Sequence, residues 1–185
     1  MTDSSRVRVY MACSVDGFIA GPDNDLAWLT EDRAHPGTLA EDADGLGFVV
    51  FIEQVGAILM GRTTYDVVVA MGEWPYGETP VLVATRRPLD PVNETVSARS
   101  GDIAELISEA KKLAGDKDVY LDGGALIQQA LNAGQVDEIV ATYIPVLLGS
   151  GVRLFDGLTS RTNLRFTSRA MLEGGMLQVT AKVVR

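Results

Sequence analysis

Short apolar runs, each stopped by glycine or a turn residue, alternate along this chain with stretches whose apolar positions recur every three or four residues. The run 57–60 (Ala-Ile-Leu-Met) is too short for a helix and predicts a buried strand, as do 7–13, 81–85, Asp118–Asp122 and 136–144. Helical spacing predicts helices over 63–71, stopped by Gly72, and over 124–133, stopped by Gly134. The clearest helix is Ile103–Ala114. Ile103, Leu106, Ile107, Ala110, Leu113 and Ala114 form one stripe, Asp102 and Glu105 make a capping box, and Gly115 ends it. Phe48, Phe51, Ile52 and Val55 predict a helix over 48–55, a spacing that does not by itself exclude a strand. The segment 23–47 is polar, with Asp, Gly and Pro, and reads as an irregular flap. Runs 165–172 and 176–184 flank Gly174-Gly175, a hairpin signal. Strands alternating with helices before a terminal hairpin predict an α/β fold with a mainly parallel sheet and an antiparallel edge. Ligands of such sheets bind beyond the carboxyl ends of the strands.

Composition narrows the partners. With 185 residues and 46% apolar content, the chain fits one domain spanning 1–185. A formal charge of −9 argues against nucleic acid and anionic membranes. The single cysteine, Cys13, excludes internal disulfides. With no apolar run long enough to span a bilayer and no signal-peptide pattern, a cytoplasmic protein is expected.

In so acidic a chain the placement of arginines carries information. Arg62, Arg86 and Arg87 each follow a short apolar run. Gly61 frees the backbone to turn after strand 57–60, and Thr63 or Thr64 can cap the helix that follows. A strand, a glycine, an arginine and a helix start make a phosphate cradle. Gly123-Gly124 repeats the arrangement after Asp118–Asp122, letting a diphosphate approach the backbone; a glycine pair also makes an ordinary tight turn. Thr85-Arg86-Arg87 offers a hydroxyl and guanidiniums suited to the 2′-phosphate of NADPH, although alone it reads as a solvated charge pair before Pro88. Neither Gly-x-Gly-x-x-Gly nor a P-loop motif occurs.

Five blocks together resemble the dihydrofolate reductase fold, and more closely the reductase domain of bacterial riboflavin biosynthesis, the RibD C-terminal type, as a stand-alone member. They are Met11–Ala20 with its Val-Asp-Gly centre, Met60-Gly61-Arg62-Thr63-Thr64-Tyr65, Leu82–Pro88, Leu121-Asp122-Gly123-Gly124-Ala125-Leu126, and Ile144–Gly151 with Pro-x-x-x-Gly-x-Gly. The resemblance implies a three-layer α/β/α architecture, a homodimer, and NADPH-dependent hydride transfer to a small heterocycle or imine, first in line a riboflavin-pathway pyrimidine. By the same matching, Ala12 and Ile19 lie against the nicotinamide. Gly61, Arg62, Thr63 and Thr64 take the diphosphate; Thr85, Arg86 and Arg87 take the 2′-phosphate; Asp122, Gly123, Gly124, Ala125 and Leu126 cover the diphosphate and ribose. The apolar segment 139–148 reads either as an interface strand or as interior.

Departures from the family pattern restrict the substrate. No Arg or Lys lies between Thr63 and Thr85, so a folate glutamate would lack its bidentate clamp. The segment 48–54, where riboflavin reductases carry an arginine, has no basic residue. One His and one Cys cannot build a deaminase zinc site. Trp28 and the acids Asp25, Glu31 and Asp32 sit where folate enzymes keep a flap tryptophan and an acid. Asp32 is the candidate proton donor, while all these acids also read as solvated flap residues. Trp74 and Tyr76 line the substrate pocket or pack their own loop. Asp16 caps the turn before Gly17, Cys13 is a buried thiol, and His35 faces solvent. Two rivals remain: a folate-type reductase, and an NADPH-binding sensor without turnover.

Overall fold

The computed structural model describes residues 5–30 and 45–185. Eight strands form one sheet in the order β5-β4-β3-β6-β1-β7-β10-β9. These are β1 (Val7–Ser14), β3 (Val55–Gly61), β4 (Val81–Ala84), β5 (Val96–Arg99), β6 (Asp118–Asp122), β7 (Glu138–Ile144), β9 (Asn163–Leu172) and β10 (Met176–Val184). Strands β5 to β7 of that order run parallel, and β10 and β9 add an antiparallel hairpin edge. A second, two-stranded sheet joins β2 (Phe18–Ala20) to β8 (Val152–Arg153).

Helices cover both faces, because the central strands are apolar on both sides and alternate residues point opposite ways. On one face α4 (Ile103–Ala114) and α5 (Gly124–Asn132) pack Leu106, Ile107, Leu126 and Ile127 against Val7, Val9, Leu59 and Leu121. On the other, α2 (Phe48–Glu53) and α3 (Arg62–Ala70) bring Phe51 and Tyr65 to Ile58, Met60 and Tyr120. A one-turn helix, α1 (Ala27–Thr30), follows β2.

Most expected elements are present, with shifted ends. Helix α2 stops at Glu53, and Val55 already opens β3. Helix α4 carries the full capping box from Asp102 and Glu105. Helix α3 starts one residue early, at Arg62, with Gly61 as its N-cap and no side-chain cap. Thr63 and Thr64 therefore lie inside the first turn, and neither caps it. Strand β7 is interior, between β1 and β10, so 139–144 is core and not an interface strand. Glu31, Asp32 and His35 lie outside the described residues.

The end of the sheet away from the strands' carboxyl termini is locked by charge. Arg8, 3% exposed, bonds Glu138 (2.7 Å), Gln54 (2.6 Å) and Asp118 (3.3 Å). Arg6 adds a second contact to Asp118 at 2.7 Å. Breaking one partner of a buried charge network leaves the others desolvated and unpaired. Arg8→Met should therefore destabilise the fold by about 3 kcal/mol, read as a lower urea midpoint; an unchanged midpoint would show that Arg6 alone satisfies both acids.

Candidate active site

The site begins where two strands part. β1 and β6 pair only from Val7↔Val119 to Val9↔Leu121. β1 remains paired with β7 as far as Ser14↔Ile144, and β6 with β3 as far as Met60↔Asp122. The halves of the sheet thus separate at their carboxyl ends, and Tyr10, Met11 and Ala12 are partly exposed although β1 is a central strand. The Tyr10 carbonyl, left without a ladder partner, accepts from Tyr120 Oη at 3.1 Å. Main-chain groups alternate sides along a strand, so the N–H and C=O of Ala12 face the same crevice.

Two uncapped helix starts border it. Neither α3, after Gly61, nor α5, after Gly123, has a side-chain cap, in contrast to α4. Their first-turn N–H groups are the ones a helix leaves unpaired. Gly123 has φ +95°, and a Cβ there would run into Thr64 Oγ1. A Cβ on Gly124 would stand 3.0 Å from Ile19 Cδ1, and one on Gly61 4.0 Å from Leu126 Cγ. Ile19, Gly61, Thr64, Gly123, Gly124 and Leu126 therefore meet at one rim, with main chain bare enough for an oxygen-rich anion to touch.

The arginines close one end of this rim. Arg62 Nε bonds Asp66 at 2.7 Å, and its Nη1 donates to the Pro88 carbonyl at 2.7 Å. Arg87 reaches the same Asp66 at 3.7 Å. Thr85 Oγ1 accepts from the Arg87 N–H at 3.0 Å, which leaves its own proton to donate. Arg86 is exposed beside them. Arg62 thus fastens α3 to the 85–88 turn, and its guanidinium is partly committed within the protein. An adenine dinucleotide carrying an extra phosphate fits these groups: bare glycine turns for a diphosphate, and guanidiniums with a hydroxyl for the third phosphate.

Asp122 departs from the grouping expected of it. Alternation along β6 puts its side chain with Tyr120 on the face opposite α5, so only its main chain adjoins the glycine turn. There it is 7% exposed, with Tyr76 Oη at 3.3 Å. Burial pushes its carboxyl up to about 6, against the lowering pull of the neighbouring phenols and the Gly123 N–H. Trp74 stands edge-on to Tyr76, centroids 5.0 Å apart, and its buried Nε1 has no hydrogen-bond partner among the described residues. Trp28 is buried, and its indole N–H is taken by the Asp25 carbonyl at 3.1 Å.

Comparison with known proteins identifies the family and the fold. The model of the RibD C-terminal domain matches residues 5–177. The chain belongs to the RibD C-terminal domain family. It is 32% identical over 159 residues to the uncharacterized protein YwjB of Bacillus subtilis (strain 168), covering 85% of this chain and 86% of that one. A solved structure from Shewanella sp. PV-4, named for riboflavin biosynthesis, superposes with a TM-score of 0.81 at 30% identity, covering 97% and 99% of the two chains. Dihydrofolate reductase from Enterococcus faecalis, solved with NADP(H) and RAB-propyl, shares the fold at a TM-score of 0.64 and 16% identity, over 99% and 98% of the chains.

Within this RibD C-terminal domain the reach of Asp16 was not read from sequence. Its carboxylate accepts from Ser14 Oγ (2.6 Å), Gly149 N (2.8 Å) and Leu148 N (3.1 Å), and is lowered to about 2 chiefly by the Ser14 bond. It straps the loop bearing Ile19 to the Pro-x-x-x-Gly-x-Gly segment. Arg153 joins the strap, its guanidinium 4.4 Å above the Phe18 ring and bonded to the Asp16 carbonyl. The Asp-Gly pair was legible as a turn; its partner, 132 positions away, was not.

Packing at Gly123 is directly testable. Gly123→Ala should cost about 2 kcal/mol from backbone strain and overlap, and less in a Thr64→Ala background, where the overlapped hydroxyl is gone. Additive effects in a double-mutant cycle of thermal unfolding would place Thr64 away from the glycine turn.

Proposed function

We propose that the chain is an NADPH-dependent reductase of a small heterocycle or imine, with the crevice between β1 and β6 as its site. The observation that carries the reading is the pairing of two bare, uncapped helix starts beside the parting with a buried carboxyl at the end of β6. When bound, the cofactor supplies a hydride. The chain's own residues then position, desolvate and hold a proton. First-turn N–H groups after Gly61 and Gly123 take the diphosphate, while Thr85, Arg86 and Arg87 take the 2′-phosphate. The main chain of Ala12 offers one donor and one acceptor to a carboxamide, and Ile19, over Gly124, keeps water from the ring edge.

Proton supply is assigned to Asp122. Its carboxyl sits beside the crevice, and its raised pKa keeps it partly protonated near neutrality, as a general acid requires. Tyr76 Oη, 3.3 Å away, orients it. A riboflavin-pathway pyrimidine stays first among substrates because of the family, and homodimerisation rests on that same likeness.

NADPH should raise the melting temperature well above the shift from NADH at equal concentration, and Arg86→Ala should weaken NADPH by about 1–3 kcal/mol while barely changing NADH. Equal shifts for the two cofactors would remove the 2′-phosphate assignment.

The raised carboxyl sets the expected pH dependence. Its proton is present below about 6 and is lost as pH rises through that value, so kcat/KM for reduction should fall above about pH 6. Asp122→Asn should lower the rate and remove that alkaline limb. An unaltered profile in the variant would move the acid elsewhere, with Asp32 next in line.

A further inference from the structure

An acid stands among the arginines of the rim. Asp66, in the second turn of α3, receives Arg62 Nε at 2.7 Å on one carboxylate oxygen. Its other oxygen faces Arg87 Nη2 at 3.7 Å, a distance too long for a hydrogen bond, so that only the attraction of charge remains. A 2′-phosphate held by Arg87 would come to a guanidinium that this carboxylate already faces. Two anions would then share one cation.

The carboxylate is not needed to hold the helix in place. Arg62 Nη1 donates to the Pro88 carbonyl at 2.7 Å. The buried Tyr65 donates to the Asp90 carbonyl at 3.0 Å and accepts from the Val92 N–H at 3.1 Å. These contacts fasten α3 to the segment after β4 without any acid. The side chain of Asp66 is 46% exposed and that of Arg87 67%, and ion pairs so open to water add little to stability. Their charges still set the local potential that an anion meets. The cluster holds three guanidiniums, those of Arg62, Arg86 and Arg87, and one carboxylate, so its surplus of positive charge is about matched by a phosphate monoester of about −2. Removing the carboxylate raises that surplus, and the gain is largest for the group with the most negative charge.

We infer that Asp66 is a specificity-determining residue, a carboxylate that competes with the 2′-phosphate for the arginines it faces and holds down the preference for NADPH over NADH. This inference rests on the cofactor reading above and deepens it. The diphosphate is common to both cofactors and is assigned to main-chain N–H groups, so relief at the arginines favours the 2′-phosphate.

The test is calorimetric titration of the full chain and of Asp66→Asn with NADPH and with NADH, at low and at high salt. The amide keeps the size of the side chain and an oxygen that accepts from Arg62 Nε, so it removes the charge and leaves the arginine oriented. NADPH should bind the variant about fivefold more tightly, and NADH less than about twofold. The gain for NADPH should vanish near 1 M salt, where the screening length is about 3 Å. Unchanged or weaker NADPH binding in the variant overturns the inference, as does an equal gain for both cofactors or a gain that survives high salt. Failure of the unaltered chain to bind NADPH, or its equal affinity for the two cofactors, defeats the cofactor reading itself and this inference with it.

Discussion

The parting of β1 from β6 is the constraint on which the rest of the molecule depends. A parallel pair that separates midway leaves main-chain groups without partners, a cost that a buried sheet rarely carries. Here Tyr120 answers the Tyr10 carbonyl, and Ala12 is left facing the gap. Because β6 turns away into α5 at that point, the turn must be tight, and Gly123 takes a conformation that L side chains avoid. The same departure fixes the directions of side chains on β6. Leu121 enters the α4–α5 core, so Asp122, one residue on, faces the phenols of Tyr76 and Tyr120. One geometric event thus produces the bare main chain, the glycine turn and the buried acid together.

Charge follows a complementary division. At the closed end of the sheet Arg6 and Arg8 are committed to Asp118 and Glu138, which bind the first strand to its neighbours. At the open end Arg62 and Arg87 share one acid, Asp66, with Arg86 exposed beside them, so the cluster keeps net positive charge in a chain of formal charge −9. Such a local patch steers an anionic ligand to that rim while the remaining surface repels it.

What the sequence disclosed divides along local and non-local physics. Helix α4 was readable to the residue because its stripe, capping box and terminal Gly115 are all local. The glycine at the end of β3 and the pair after β6 were readable as turns, and they do meet at one rim. The start of α3 was misplaced because Thr63 and Thr64 are good caps in isolation; the chain uses Gly61 instead, and Thr64 packs on Gly123, some sixty positions on. Strand β5, at Val96–Arg99, was missed, since a short run with Ser and Arg pairs only at the sheet edge. The face chosen by Asp122 needed knowledge of which neighbours flank β6, and no window of sequence holds that.

A carboxylate buried beside two phenols is a poor choice for stability alone. Asn or Leu at position 122 would avoid the desolvation that lifts the pKa of this acid. Structural acids elsewhere in the chain show the contrast. Asp16 is held low by a hydroxyl and two amide donors, and Asp118 is paired with two arginines. Among the described residues no cation pairs with Asp122, and its side-chain partners are the phenols of Tyr120 and of Tyr76, the latter at a long 3.3 Å. A group maintained in an environment that disfavours its charge, beside an opening that its own strand creates, matches the demands of proton transfer better than those of packing. That mismatch between local stability and placement is what ties the crevice to chemistry.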